Sequence, residues 1–357
     1  MIDRLARLRD VMETHGAGAA LISHPTNRRY FSGFPDGDHA PDESSGVLLV
    51  TGENATLYVS PTNLPWARNS VRERVSAEPW QRPWQTFIGE RLRGLGPLTV
   101  LFEDRALTVS DYGRIRETAS EATFVPAGND VHLIRAIKDA DEIRAIAEAA
   151  RITDAALAAA TAELQPGVSE KALVWRIADA MRLHGAEPGF GTIVAAGPHG
   201  ARPHHDPSER PIAAGEPIVI DMGAQVDGYV ADLTRTICVG EPVPEFADRY
   251  NTLLAVQQTA LKEIRPGMTG EEADAIAREA LIAVGFEDAL IHGLGHGVGL
   301  NVHEFPSLGV GSEDVLEPGQ VVTVEPGIYF EGWGGIRIED LCVVTDDGLQ
   351  ILSAAPK

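Results

Sequence analysis

The order of apolar and polar positions divides the chain into two parts, and the first part alternates between helix-like and strand-like patterns. An amphipathic helix is predicted at its start by a stripe of apolar residues, Ile2, Leu5, Leu8, Val11 and Met12. Short apolar runs typical of buried strands follow at 19–23, 46–50, 55–59, 98–102 and 122–125. Irregular chain is indicated by Pro-Trp pairs at 65–66, 79–80 and 83–84. This alternation predicts a small α/β domain.

The second part opens with a long Ala-rich helix. The stretch KDADEIRAIAEAARITDAALAAATAEL begins at Lys138, and Asp139 and Glu142 have the spacing of a capping box. The change in pattern just before this helix predicts two domains, 1–135 and 136–357.

The second part also contains a weak internal repeat. The turn PGVS at 166–169 and the turn PGMT at 266–269 each precede an amphipathic helix. Two related halves that face each other across a pseudo-twofold axis would form a central cleft, where functional sites tend to lie.

The chain is strongly acidic, which bears on its partners. Its 357 residues include 30 Lys and Arg against 52 Asp and Glu, a formal net charge of −22. This charge repels phosphate backbones and anionic lipid, so we expect neither nucleic acid nor a membrane as a partner. The N-terminal residues lack a secretory signal, and no apolar run reaches the ~18 residues of a membrane helix. Cys238 and Cys342 lie in apolar runs and predict buried thiols, so a cytoplasmic location is expected.

The first block with chemical character is acidic, PIVIDMGAQVDGYVADLTRT. An apolar strand runs into Asp221, the chain turns near Val226 and Asp227, and it returns through Asp232. A two-residue hairpin loop predicts that Asp221 and Asp232 face each other with Cβ atoms about 4.5–5.5 Å apart. Carboxylates that close repel unless a cation lies between them or one stays protonated. Taken alone, the pair is also explained by one Asp in a turn and one on a solvated face.

The second block, HGLGHGVGLNVHE at 292–304, is rich in histidine and glycine. His292, His296 and His303 are interleaved with glycines that let the backbone approach a ligand closely. A dinucleotide-binding loop is excluded because no strand leads in and no helix with an acidic partner follows. Three histidines beside paired acids predict a metal site.

The third block carries a second pair of acids. Glu325 and Glu339 lie in apolar runs that a Gly-rich turn could pair. A buried glutamate is rare unless it is paired or bound to a metal, although two glutamates on the solvated face of a sheet would show the same pattern.

Together these blocks resemble the pita-bread metallopeptidases, a family that includes methionyl aminopeptidases, prolidases and Xaa-Pro aminopeptidases. The resemblance covers about 180–345, and the N-terminal part is similar to the creatinase-type domain of the proline-specific branch. It implies an α/β (α+β) protein, with a creatinase-like domain at 1–135 and a pita-bread catalytic domain with pseudo-twofold halves at 136–357.

The resemblance also implies the site residues. Metal ligation is implied for Asp221, Asp232, His296, Glu325 and Glu339. Of these, Asp232 and Glu339 would bridge two metals. Residues that match the family's catalytic groups are His204, His292 and His303, and Arg337 would support the metal-site carboxylates. Two departures from the family pattern, Arg202 and His205, lie beside His204.

This ligand set implies the chemistry. Carboxylates with one imidazole suit two divalent ions, Mn²⁺ first, with Co²⁺ or Zn²⁺ as alternatives. Two ions about 3.5–4 Å apart lower the pKa of a bridging water, and the resulting hydroxide is expected to attack the carbonyl before a proline nitrogen. Glu325 would shuttle the proton while the three histidines position the substrate and stabilise the tetrahedral intermediate. The expected partners are peptides with proline at the second position and, from the resemblance, a second copy in a homodimer.

Rival functions differ in their use of the site. A creatinase-like amidinohydrolase works without metals, and a pita-bread binding module has lost them. Intact residues at all of the ligand positions argue against both rivals, because a carboxylate cluster is costly to keep without a cation.

The remaining alternative concerns peptide length. A dipeptidase (prolidase) must bind the free carboxylate of the C-terminal proline, which favours an arginine near the outer pocket. Residues 304–317 contain no basic residue, and Glu304, Glu313, Asp314 and Glu317 would face that carboxylate if the segment lines the pocket. An Xaa-Pro aminopeptidase is therefore predicted, with a dipeptidase as the alternative if Arg202 or a partner subunit supplies the charge.

Overall fold

The computed structural model divides into two compact units, residues 2–135 and 136–357. The residues it describes are 3–35, 37–38 and 43–357. Ile2 of the predicted opening helix lies outside the described residues. The predicted mixed α/β class is confirmed. Within the described residues, no helix is long and apolar enough to cross a membrane.

The N-terminal unit is a mixed sheet with helices packed on it. Its helices are α1 (Arg4–Thr14), α2 (Pro25–Ser32), α3 (Leu64–Ser70), α4 (Trp84–Gly94), α5 (Val109–Thr118) and α6 (Asp130–Leu133). Its strands are β1 (Ala19–Ile22), β2 (Gly46–Thr51), β3 (Ala55–Val59), β4 (Ser76–Pro79), β5 (Thr99–Phe102) and β6 (Thr123–Pro126), in the sheet order β4-β3-β2-β1-β5-β6. The apolar runs form the predicted strands because side chains such as Leu21, Val47 and Val100 build the core of this unit.

The Pro-Trp pairs correct one prediction. Pro65 and Trp66 lie in the first turn of α3, and Pro79 ends β4, so these positions are not irregular chain. The reason is that proline lacks an N–H, and the first turn of a helix and the end of a strand are the places where that N–H is not needed.

The C-terminal unit contains two further sets of helices and strands. Its helices are α7 (Ala140–Thr161), α8 (Glu170–Leu183), α9 (Pro244–Glu263) and α10 (Gly270–Ala283). The strands of its first half are β7 (Glu187–Pro188), β8 (Ile193–Ala196), β9 (Pro217–Met222), β10 (Ala224–Val226), β11 (Tyr229–Val230) and β12 (Leu233–Cys238). Those of its second half are β13 (Gly295–Gly297), β14 (Glu304–Leu308), β15 (Val321–Val324), β16 (Gly327–Phe330), β17 (Gly334–Arg337), β18 (Asp340–Thr345) and β19 (Gly348–Ile351).

Each half packs a helix pair against a sheet. Helices α7 and α8 enclose one apolar core with the sheet β12-β9-β8, and α9 and α10 enclose a second core with the sheet β14-β13-β15-β18-β19. Cys342 is buried in the second core, as predicted, while Cys238 is half-buried, and both thiols are free.

The internal repeat of the sequence is visible as two matching helix starts. Ser169 caps α8 and Thr269 caps α10, each by accepting a hydrogen bond from the backbone N–H three residues later. Two residues before each cap, Gly167 and Gly267 adopt a positive φ and donate their N–H to a backbone carbonyl at 2.8 Å. The same turn, cap and backbone contact are therefore built twice, once in each half.

A loop between β8 and β9, here called the histidine loop (residues 197–208), carries His199, His204 and His205. Glu170, the first residue of α8, is fully buried beside this loop. A buried carboxylate is costly unless its oxygens accept hydrogen bonds, so its partners decide its role.

The carboxylate of Glu170 holds the histidine loop at both ends. It accepts hydrogen bonds from the N–H of Ala196 at 2.9 Å and from the N–H and hydroxyl of Ser208 at 3.0 and 2.7 Å. The rings of His199 and His205 contact it at 2.9 and 3.0 Å. Burial alone would raise the pKa of Glu170, but these donors outweigh burial and lower the pKa to about 2.

Replacing Glu170 by Gln is expected to lower the free energy of unfolding by about 2–3 kcal/mol at pH 7, because a buried charged acceptor is lost. The pKa of Glu170 lies at about 2 in the folded protein, below its ordinary 4.5. Its contribution is therefore complete above pH 4.5 and is lost as the pH falls toward 2. Denaturant unfolding between pH 7 and pH 3 measures this, with Glu163→Gln at an exposed position as the control. A difference from wild type that stays constant over this range would contradict the assignment.

Candidate metal centre

The hairpin of β9 and β12 positions the first two acids, but not in the predicted register. The chain turns at 227–228, where both residues have a positive φ, and this two-residue turn pairs Asp221 with Thr234. The predicted direct opposition of Asp221 and Asp232 is therefore wrong. Asp232 precedes Thr234 by two positions, so it lies on the same face of the hairpin, one diagonal step from Asp221.

The second pair of acids has the predicted arrangement. The register of β15 with β18 is the same as that of β16 with β17, and it places Glu325 opposite Glu339 in the short gap between the two strand pairs. Glu339 is fully buried, and its Oε2 accepts a hydrogen bond of 2.7 Å from the Thr234 hydroxyl. The two hairpins thus meet at Thr234 and Glu339.

Three of these acids form a cluster that fits a cation. Carboxylate oxygens of Asp221, Asp232 and Glu339 lie within 4.8 Å of one another. Within the described residues, Asp221 Oδ1 and Glu339 Oε1 are buried and have no hydrogen-bond partner. Burial raises the pKa of Asp232 and of Glu339 well above the usual range, and repulsion from the neighbouring carboxylates raises both further. Hard oxygen donors that are buried, unpaired and mutually repulsive fit divalent metal ions.

His296 and Glu325 extend this donor set. His296 Nε2 lies 3.1 Å from Glu325 Oε1 and 3.6 Å from Asp232 Oδ2. Burial opposes the charged form of both groups, but their mutual contact outweighs it, raising the pKa of His296 and lowering the pKa of Glu325 to about 2. A ring nitrogen and a further carboxylate are therefore within reach of the same cluster.

Arg337 connects the acids to a tyrosine that the sequence did not single out. Its guanidinium contacts Asp221 Oδ2 at 2.5 Å and Glu325 Oε2 at 3.7 Å. It also donates to the Tyr329 hydroxyl at 2.9 Å. Burial raises the pKa of Tyr329 to about 12, so the hydroxyl keeps its proton at neutral pH. Tyr329 lies in the third sequence block, but a tyrosine in a strand gives no signal of such a contact.

This hydroxyl fixes the tautomer of His292. Because Tyr329 accepts from Arg337, its own proton points to His292 Nε2 at 2.8 Å, which leaves the ring proton on Nδ1, donated to the Gly293 carbonyl at 2.6 Å. Burial lowers the pKa of His292, which keeps the ring neutral. Both ring nitrogens of His292 are therefore engaged by the protein.

The other two histidines face open space in the same cleft. The ring of His303 packs edge-on against His296, with centroids 4.3 Å apart, and burial together with His296 lowers the pKa of His303. His204 is exposed on the histidine loop. The cleft has a volume of about 1240 Å³ and is lined by each predicted site residue except the fully buried Glu339.

The segment 304–317 lines this cleft differently from the prediction. Its described lining residues are Ser307, Leu308, Gly309 and Val310. The acidic residues expected to face the substrate lie elsewhere, and Glu304 pairs with Lys138 at 3.3 Å. The predicted repulsion of a dipeptide carboxylate required these acids to line the cleft, and none of the four is among its lining residues.

Relatives of known structure and sequence cover the whole chain. An Xaa-Pro dipeptidase of Pyrococcus furiosus is 35% identical over 356 residues, which cover 99% of this chain and 98% of that protein. The structure of an Xaa-Pro dipeptidase from Bacillus anthracis has a TM-score of 0.92 at 35% identity and covers 99% of this chain and 98% of its own. An X-Pro aminopeptidase from Thermotoga maritima has a TM-score of 0.91 at 32% identity, with the same coverage.

Family models match both parts of the chain. The model of the creatinase/prolidase N-terminal domain matches residues 4–137. The model of metallopeptidase family M24 matches residues 144–346, the stretch that holds both acid pairs and the histidines. The resemblance inferred from the sequence is confirmed, and the chain belongs to metallopeptidase family M24.

Proposed function

We propose that this metallopeptidase is a dinuclear Xaa-Pro dipeptidase, a prolidase. The observation that carries the proposal is the carboxylate cluster of Asp221, Asp232 and Glu339 beside a cleft lined by histidines. Full-length similarity to proteins named Xaa-Pro dipeptidase supports the choice of substrate. The predicted homodimer and cytoplasmic location stay predictions.

The cluster and its neighbours would hold two divalent ions. The proposed ligands are Asp221, Asp232, His296, Glu325 and Glu339. The family resemblance assigns Asp232 and Glu339 to both ions, and these two acids are the more deeply buried ones of the set. Manganese is the proposed metal, with cobalt or zinc as alternatives, because oxygen donors dominate the set. The bound ions supply an acidified water and an electrophile for the scissile carbonyl.

The remaining residues would bind substrate and move its protons. Glu325 is ionised and borders the cleft, so it can take a proton from the attacking water and give it to the proline nitrogen. His204 and His303 can contact the substrate directly, whereas His292 would act through Tyr329 and Gly293 because its ring nitrogens are engaged. Arg337 would keep Asp221 oriented, and its positive charge lowers the pKa of that carboxyl against the rise that burial causes.

An Xaa-Pro aminopeptidase is the second candidate. It is favoured by one observation, that the lining residues of the segment 304–317 offer no cation for a substrate carboxylate. The Thermotoga maritima relative also carries that name. The two candidates differ only in the peptide length that the cleft accepts.

The length preference is the direct test of the proposed function. Manganese-loaded protein should hydrolyse Ala-Pro with a higher kcat/KM than Ala-Pro-Ala. The measurement is product release from both peptides under one set of conditions, with Ala-Ala as the control for proline specificity. A strong preference for the tripeptide would replace the dipeptidase by the aminopeptidase, and no activity on either peptide would overturn both.

Removing one bridging charge should separate activity from folding. Asp232→Asn or Glu339→Gln is expected to lower kcat/KM by at least about a hundredfold, because the several kcal/mol of stabilisation that a bound metal supplies is lost. In metal-free protein the same change removes a buried carboxylate whose pKa is raised, and such a group destabilises the fold increasingly as the pH rises. The metal-free melting temperature at pH 7 should therefore stay equal or rise. Asp347→Asn at an exposed turn is the control. Wild-type turnover after reconstitution would contradict the assignment.

His296→Ala is expected to lose one metal before the other, because its imidazole is the only nitrogen in the proposed ligand set. Elemental analysis after dialysis should give about one bound ion per chain in place of two, with weak activity. His184→Ala, at an exposed position after α8, controls for loss of a histidine. Full occupancy by two ions in the His296 variant would place this ring outside the ligand set.

A further inference from the structure

The cleft is lined by arginines that differ in their partners. Arg337 is bound to Asp221 and Tyr329, as described above. Arg278 makes two hydrogen bonds to the Asp274 carboxylate, at 2.5 and 3.1 Å, and a third to the His292 carbonyl. Both of these side chains already serve the protein.

Arg202 is different, because its charge is not compensated. It is exposed, it lines the cleft, and its guanidinium has no hydrogen bond or ion pair among the described residues. Asp206, the acid of the same loop that lines the cleft, forms no ion pair with Arg202 in the part of the chain that the structure describes. A cation in this position is available to a ligand.

The backbone of Arg202 is held firmly although its side chain is not. Arg202 donates its N–H to the His199 carbonyl at 3.0 Å and accepts at its own carbonyl from the His205 N–H at 3.1 Å. Both histidines contact the buried carboxylate of Glu170. A side chain presented from a pre-organised loop loses less conformational entropy when it binds a ligand than one on a mobile loop.

We propose that Arg202 binds the C-terminal carboxylate of the dipeptide substrate and so sets the length preference of the enzyme. The inference rests on the proposed dipeptidase function. The carboxylates of Asp221, Asp232, Glu325 and Glu339 border the cleft or lie beside it, so the additional carboxylate of a substrate needs a compensating charge there. A guanidinium pairs with a carboxylate through two parallel hydrogen bonds.

Position along the chain also fits this role. Arg202 precedes His204 by two residues, and both side chains line the cleft from one loop. A residue that contacts the proline carboxylate must lie close to the residues that contact the scissile bond, because a dipeptide is short. The segment 304–317 lines the cleft only with the small side chain of Ser307 and with apolar neighbours, so it supplies no competing cation.

The test compares peptides that differ only in the terminal charge. Manganese-loaded Arg202→Gln should show a KM for Ala-Pro raised about tenfold or more, with kcat changed less than about threefold, because a charge contact of about 1.4 kcal/mol is lost. Hydrolysis of the amide Ala-Pro-NH₂ should be unchanged, since this peptide has no carboxylate. Arg202→Lys should recover part of the loss. Arg176→Gln, an exposed arginine of α8 outside the cleft, is the matched control.

Two further measurements test the carboxylate contact of Arg202 without comparing the hydrolysis of Ala-Pro and Ala-Pro-NH₂. Calorimetric binding of proline should weaken about tenfold in Arg202→Gln, while binding of prolinamide should not change. Moving the charge to another lining position with Ser307→Arg in the Arg202→Gln protein should restore Ala-Pro hydrolysis, because Ser307 is exposed and lines the same cleft.

The outcomes separate this inference from the function on which it rests. Efficient wild-type cleavage of Ala-Pro with no change in Arg202→Gln would overturn the role of Arg202 and leave the dipeptidase intact. Equal losses on Ala-Pro and Ala-Pro-NH₂ would also overturn it, because they would show a disturbed loop. Wild-type protein that cleaves neither peptide would overturn the proposed function, while proline binding that depends on Arg202 would still support the carboxylate contact.

Discussion

The structure of the C-terminal unit depends on a repulsion: Asp221, Asp232, Glu325 and Glu339 are brought together where water is largely excluded. Burial and the neighbouring acids raise the pKa of Asp232 and Glu339 well above the usual range. Ionising all of these carboxylates without a bound cation therefore costs free energy. Arg337 compensates part of this charge from one side. The apolar cores behind the two sheets supply the stability that such a site needs, and bound cations would remove the remaining strain.

The two halves of the C-terminal unit are joined at the acid cluster. Each half supplies one acid pair on a hairpin, and the hairpins meet through polar contacts as well as through an apolar cluster that includes Ala231 and Leu341. The Thr234 hydroxyl accepts from Arg337 Nε at 3.0 Å and donates to Glu339 at 2.7 Å, and the Glu339 N–H returns to the Thr234 carbonyl at 3.1 Å. Arg235 and Asp340 add a buried ion pair of 2.9 Å beside it. Neither half can form the cluster alone, so the site exists only when both halves are folded and packed together.

The sequence predicted those features that follow from local pattern. Strands were found because their apolar runs are short and bounded, and the matching helix starts were found because Ser169 and Thr269 sit in recognisable caps. The register of Asp221 was wrong because it depends on which two residues form the turn, and a shift of one turn position moves every partner by two. Contacts such as that between Tyr329 and His292 join residues far apart in the chain, and no local pattern encodes them. Whether the acids of 304–317 line the cleft is likewise not encoded in a local pattern, and none of them does.

The residues of the acid cluster are therefore more constrained than the exposed residues of the histidine loop. A change at the cluster alters charge balance, metal binding and the junction of the halves together, because the same atoms serve all three. The histidine loop is constrained in another way: Glu170 fixes its ends from outside the cluster, so the exposed side chains between those ends can differ without disturbing the fold. Arg202 and His204 occupy such positions. Under the role proposed for Arg202, substrate length is set by a residue of this loop, whose replacement changes only what it touches, whereas a replacement in the metal site changes several properties together.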